Sequence, residues 1–167
     1  EPGYTTQANG AASAVPVLAA GGGGLVEFVT GTDDNGDSGL YSGTAQWIGD
    51  HNPFVTARIS FSSIAAVKVE VGFTDSATDR GAINALDTPT ATADDCVCAI
   101  FDTDATEDNW QFAGARATTA WSIATIDVAP AATTYYWITV ALRRSDLATD
   151  NMAADMYIND KKVASQA

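Results

Sequence analysis

Four sets of residues in this 167-residue chain have types and spacings that could do chemistry. In the stretch 32–39 (TDDNGDSG), Asp33, Asn35 and Asp37 put hard oxygen ligands at every second position, as calcium loops do. The stretch departs from the helical calcium loop, because its glycine falls one place late and its twelfth position is Thr44 rather than Glu. A polar turn between strands is the simpler reading, so no metal is favoured there and calcium stays the weaker alternative. Asp102, Asp104, Glu107 and Asp108 form a second acidic loop with the same two readings. Cys96 and Cys98 are one residue apart, so on a strand they share a face, and a disulfide ring that small is strained. They read as two buried thiols; a metal pair would need further ligands, and the single histidine, His51, is distant in sequence.

Catalysis needs a constellation, and the acids and nucleophiles do not supply one. Glycoside hydrolysis requires two carboxylates across a substrate. Glu70 stands alone in VKVEVGF, facing outward with Lys68 as a solvated strand residue, and Glu27 in LVEFVTG has no spaced acidic partner. Any Ser/His or Cys/His scheme must use His51, which sits in a turn-like GDHNP segment. There is no nucleophile elbow and no phosphate-cradling loop with its lysine. The expectation is a protein that is not an enzyme and carries no cofactor. The four tryptophans, Trp47, Trp110, Trp121 and Trp137, could stack on sugar rings, although a tryptophan in a strand is more often core. Trp47 lies closest to a loop and is the candidate glycan-stacking residue.

Charge narrows the partners. Eight Lys and Arg against 21 Asp and Glu leave a net charge of −13. Such a chain repels phosphate backbones and anionic lipid surfaces, so neither nucleic acid nor membrane is an expected partner. No apolar run approaches the 18 residues of a spanning helix. At 46% hydrophobic and 17% charged, the chain is apolar enough to fold. Two cysteines give no disulfide framework, so an oxidising compartment is not implied. The sequence starts at Glu1 without methionine, which a processed precursor and an incompletely represented chain both explain.

The elements that would position these residues are strands. Val55, Ala57, Ile59 and Phe61 alternate with Thr56, Arg58 and Ser60, and Val67, Val69, Val71 and Phe73 with Lys68, Glu70 and Gly72. That period of two marks half-buried strands. Leu25–Thr30 reads as another strand. Cys96–Phe101 is apolar on both faces and should lie between layers. Trp110–Ala117, Trp121–Val128 and Tyr135–Arg143 follow, with Tyr136, Ile138, Val140 and Leu142 on one face. Asp155–Ile158 and Lys161–Ala164 read as a hairpin around Asn159-Asp160. Asp75–Leu86 and Asp146–Ala154 could each hold a short helical turn, without a sustained 3.6-residue stripe.

Residues 1–24 differ from the rest: they carry one charge, Glu1, and end in four glycines. They read either as a disordered tail or as an extended arm that orders against a neighbour through Tyr4, Val15, Val17 and Leu18. The expected organisation is an arm, 1–24, followed by an all-β domain, 25–167, folded as a two-sheet antiparallel jelly-roll sandwich.

The segments YYWITVAL and MYINDKKVA near the end of the chain resemble concanavalin-like (laminin-G-like) jelly rolls. In those folds a tryptophan-bearing strand precedes a Y-x-D/N-G-K-x-V hairpin; Asp160 stands here where the glycine is usual. Across most of 25–167 the segments VEFVTGTDDNGDSGLYSG, FVTARISF, VKVEVGFTD, DDCVCAIFDT and NWQFAGARA resemble β-sandwich proteins that tailed bacteriophages encode near their major capsid protein. The resemblance implies a virion structural protein, a decoration or cement protein that forms trimers. It would bind the major capsid protein on the outer surface of the head and hold capsomers with its arm. The alternative is a lectin-like glycan-binding module for surface adhesion.

Overall fold

The computed structural model describes residues 5–9, 13–18, 25–30, 37–42, 51–76, 81–123, 126–144 and 152–166. Among them there is no α-helix, and the chain is all-β. It divides into two compact units, Glu1–Gln46 and Trp47–Ala167.

In the first unit, β1 (Thr5–Asn9), β2 (Ala14–Leu18), β3 (Val26–Val29) and β4 (Asp37–Tyr41) form two antiparallel pairs. β1 pairs with β4 and β2 with β3. Part of the segment expected as an arm therefore lies in two strands, and their partners come from residues beyond 24. Side chains reinforce both pairings: Gln7 Nε2 donates to Asp37 Oδ2 at 2.9 Å, and Ser13 Oγ donates to the Thr30 carbonyl at 2.6 Å.

In the second unit the chain runs β5 (Phe54–Ile59), β6 (Lys68–Thr74), β7 (Ile83–Ala85), β8 (Thr90–Ala91), β9 (Cys96–Asp102), β10 (Gln111–Arg116), β11 (Thr119–Ile123), β12 (Tyr136–Arg144), β13 (Met152–Ile158) and β14 (Lys161–Gln166). Two four-stranded antiparallel sheets result, ordered β11-β10-β9-β6 and β14-β13-β12-β5. Their inner faces share one core, in which Phe73, Phe101, Trp110 and Phe112 meet Tyr136, Ile138, Val140 and Met156. Phe61, Phe101, Trp110 and Tyr136 form its aromatic centre, with ring centroids 5.6–6.4 Å apart. Fully burying one such side chain stabilises the fold by about 1.5–3 kcal/mol, so this centre holds the sheets together.

Within each sheet the order is that of a meander, and β5 against β12 is the pairing that brings distant parts of the chain together. A jelly roll interleaves two Greek keys. The expected architecture is thus met at the level of facing antiparallel sheets.

The strand that is apolar on both faces lies between layers, as expected: all seven residues of β9 are buried. Val97, Ala99 and Phe101 face the shared core, while Cys96, Cys98 and Ile100 face a second cluster with Ala82, Ile83, Leu86 and Ala93. The segment carrying β7 and β8 therefore covers the outer face of the first sheet. Of the two stretches open to a helical turn, the described parts hold no helix and instead carry β7 and the start of β13.

Two hairpins turn on two residues each. Asn159 and Asp160 join β13 to β14 at φ 50° and 64°, and Ala117 and Thr118 join β10 to β11 at φ 46° and 69°. Positive φ at both central residues is the requirement of the turn that matches strand twist. Asn159 fixes its turn further: its side chain accepts from the Trp137 amide at 3.0 Å, and its own amide donates to the Trp137 carbonyl at 2.8 Å.

Candidate functional site

Because one sheet is covered by its own chain, the outer face of the other, β14-β13-β12-β5, is the broad strand surface left to consider. Alternation places its side chains. On β12, Tyr136, Ile138 and Val140 point into the core, so Trp137 and Thr139 point out. On β5, Val55, Ala57 and Ile59 pack inward, and Phe54, Thr56 and Arg58 point out.

Register then sets the neighbours. Arg58 lies opposite Trp137, Thr56 opposite Thr139, and Phe54 opposite Ala141. The Arg58 guanidinium sits over the Tyr135 ring at 4.1 Å from its centroid and 5.9 Å from that of Trp137. Such cation–π contacts are worth about 0.5–1 kcal/mol at exposed sites. Thr56 and Thr139 share a hydroxyl hydrogen bond of 2.8 Å, and Tyr157 and Lys162 continue that row across β13 and β14. Phe54 is 66% exposed and Trp137 48%.

Charge is concentrated on this sheet as well. Its strands carry Arg58, Arg143, Arg144, Lys161 and Lys162, five of the eight cations of the chain, against one acid, Asp155. Asp155 is buried, with Arg143 Nε 3.0 Å from Oδ2, Lys162 Nζ 3.0 Å from Oδ1 and the Ser165 hydroxyl donating to Oδ1. Burial by itself would raise this carboxyl, but the hydrogen bonds from Ser165, Lys162 and Arg143 outweigh it and hold the group below the usual carboxylate range. Arg58 has no carboxylate partner among the described residues. Aromatic residues and arginine on an open surface are the composition of binding hot spots.

The candidates read from sequence are not gathered here. Val15 and Val17 stand on β2, 49% and 48% exposed, and all four residues of β3 beside them are exposed. Leu18 lies in β2, whereas Tyr4, Trp47, Asp33 and Asn35 fall outside the described residues. Asp37 is on β4, with Oδ2 held by Gln7. No group of three or more His, Cys, Asp or Glu among the described residues could hold a metal, the 102–108 loop included. There the Asp102 carboxylate caps its own turn, accepting from the Asp104 amide at 3.0 Å. His51 is exposed beside Asn52 and Pro53, as a turn residue should be.

Two readings need correction. Glu70 is not a solvated strand residue. Its half-buried carboxylate accepts from the amides of Ala82 at 2.7 Å and Ile83 at 3.2 Å, and pairs with Lys68 Nζ at 3.2 Å. It thereby fastens the covering segment to β6. Trp137 is not core, while Trp110 is fully buried and Trp121 half-buried against Phe112. The signal was present: Tyr136, Ile138 and Val140 as the inward face require Trp137 to face outward.

The thiols are free and buried, on one face as their spacing requires. Burial pushes Cys96 up to about 11 and Cys98 well above its ordinary value, so neither forms a thiolate nucleophile near neutral pH. The arrangement can bind a surface. Against known proteins, no family model, no curated protein and no solved structure matches the chain.

Proposed function

We propose that this chain is a non-enzymatic virion component, a decoration protein that binds the major capsid protein on the outer surface of a bacteriophage head. The observation that carries the reading is the open β2–β3 pair. Val15, Val17, Val26, Phe28 and Val29 are all exposed there, and Glu27 is the one charge in the two strands. A two-stranded pair with solvent on its apolar residues is marginal alone and gains from burial against a partner. The acidity of the chain suits an outer surface, away from packaged nucleic acid. A jelly-roll classification belongs to the same reading, through the resemblance alone.

The test is occupancy on undecorated capsids. Removing residues 1–24 also removes β1 and β2 from their partners, so the double change Val15→Ser with Val17→Ser is the cleaner variant. It should weaken binding by roughly tenfold or more, the effect of about 1.4 kcal/mol of lost apolar burial. Unchanged occupancy would sink the reading.

Glycan binding is the second reading, favoured by the exposed Trp137 beside Thr139 and Arg58. A glycan-array signal lost in Trp137→Ala would support it, and silence with and without calcium would count against it.

A further inference from the structure

β5 is an edge strand whose outward backbone groups can be assigned. The Leu142 amide donates to the Pro53 carbonyl at 2.9 Å, so the odd-numbered positions of β5 turn their backbone groups toward β12. On the far side of β12, Trp137 exchanges hydrogen bonds with Asn159, which gives the same alternation independently. The amides and carbonyls of Phe54, Thr56 and Arg58 therefore point away from the sheet, and no described residue pairs with them.

Edges of this kind are normally blunted by lysine, proline or a bulge. At the opposite edge, β14 begins with Lys161 and Lys162, and the β13–β14 register shifts at Met156/Tyr157. β5 (FVTARI) has none of these within it, and it presents a phenylalanine that is 66% exposed.

We infer that β5 is a homotypic pairing edge: two copies of this chain join β5 to β5 antiparallel about a two-fold axis at Thr56. The register is self-complementary. Centring on Thr56 pairs positions whose backbone groups all point outward, giving six hydrogen bonds and a continuous eight-stranded sheet. It also sets Phe54 of each copy directly opposite Arg58 of the other on the same face, an aromatic–cation pair made twice by symmetry. The two Arg58 residues stay about 13 Å apart along the strands, at the rise of about 3.3 Å per residue, beyond the Debye length at physiological salt. Sliding the register by two residues would lose both Phe–Arg pairs, and sliding it by four would set Phe54 against Phe54 or Arg58 against Arg58. This goes beyond the capsid reading and does not rest on it, since it needs no capsid; it predicts two-fold rather than three-fold association.

The experiment is sedimentation equilibrium on the full chain at micromolar concentrations. The wild type should have twice the 17.3 kDa of one chain. Thr56→Pro removes an outward amide together with the exposed hydroxyl bond to Thr139, leaves the bonds to β12 in place, and should yield the monomer with an unchanged circular-dichroism spectrum. F54R sets two arginines against each other across the axis and should weaken the dimer by at least tenfold; the swap F54R/R58F restores an aromatic–cation pair and should recover it. A wild type that stays monomeric, a Thr56→Pro variant that stays dimeric, or a swap no better than F54R alone would each overturn the inference.

Discussion

The carboxylate of Glu70 occupies the space that a side chain at Gly81 would need. A Cβ there would lie 2.6 Å from the carboxyl carbon, and Gly81 has φ +75°. The close approach lets the amides that follow, of Ala82 and Ile83, reach the carboxylate. Gly81→Ala should therefore lower stability by about 1–3 kcal/mol, through both the left-handed backbone and the displaced latch. A urea titration reads this as a lower midpoint, and an unchanged midpoint would show that Glu70 is not a fastening residue.

Asp155 gives the fold an acid limit. Its carboxyl is held below the unfolded value of about 3.9, so its contribution is fully present above that value and is lost as pH falls through the folded one. The stability difference between wild type and Asp155→Asn should be largest near neutral pH and shrink below about pH 4. Thermal melts of the two proteins across that range check the sign; a difference that grows on acidification would contradict it.

Cys96 and Cys98 should resist a thiol reagent such as dithionitrobenzoate in the native protein at pH 8, because both are buried and held protonated. Both should react at once in guanidinium. Rapid native labelling would mean that the segment over β9 opens readily.

The tryptophans should divide by burial. Trp110→Ala should destabilise by about 3–5 kcal/mol, whereas Trp137→Ala, on the open face, should cost under about 1 kcal/mol. Denaturant unfolding of the two variants decides it, and equal losses would place Trp137 in the core after all.

Glycine is absent from two turns that call for it. Asp160→Gly and Thr118→Gly should each raise stability by roughly 0.5–1 kcal/mol, since both residues hold positive φ and Thr118 is also β-branched. A shift in melting temperature measures each one. A loss in either variant would mean that the side chain makes a contact worth more than the strain.

Sequence alone settled what depends on neighbours along the chain. Strict alternation in FVTARISF and VKVEVGF gave half-buried strands, the doubly apolar CVCAIF gave a strand between layers, and Asn159-Asp160 gave a two-residue hairpin turn. The inward set on β12 also implied that Trp137 faces out. What covers a face is not a local property. Period two says that Glu70 and Trp137 both leave the shared core, but only the fold lays the segment 81–93 over one sheet and leaves Phe54 and Trp137 exposed on the other. Hence Glu70 became a half-buried latch and Trp137 an exposed platform. The same limit applies to Arg58: sequence made it the first cation of an acidic chain, and the pairing of β5 with β12 put it on Tyr135, at an edge that no described strand fills.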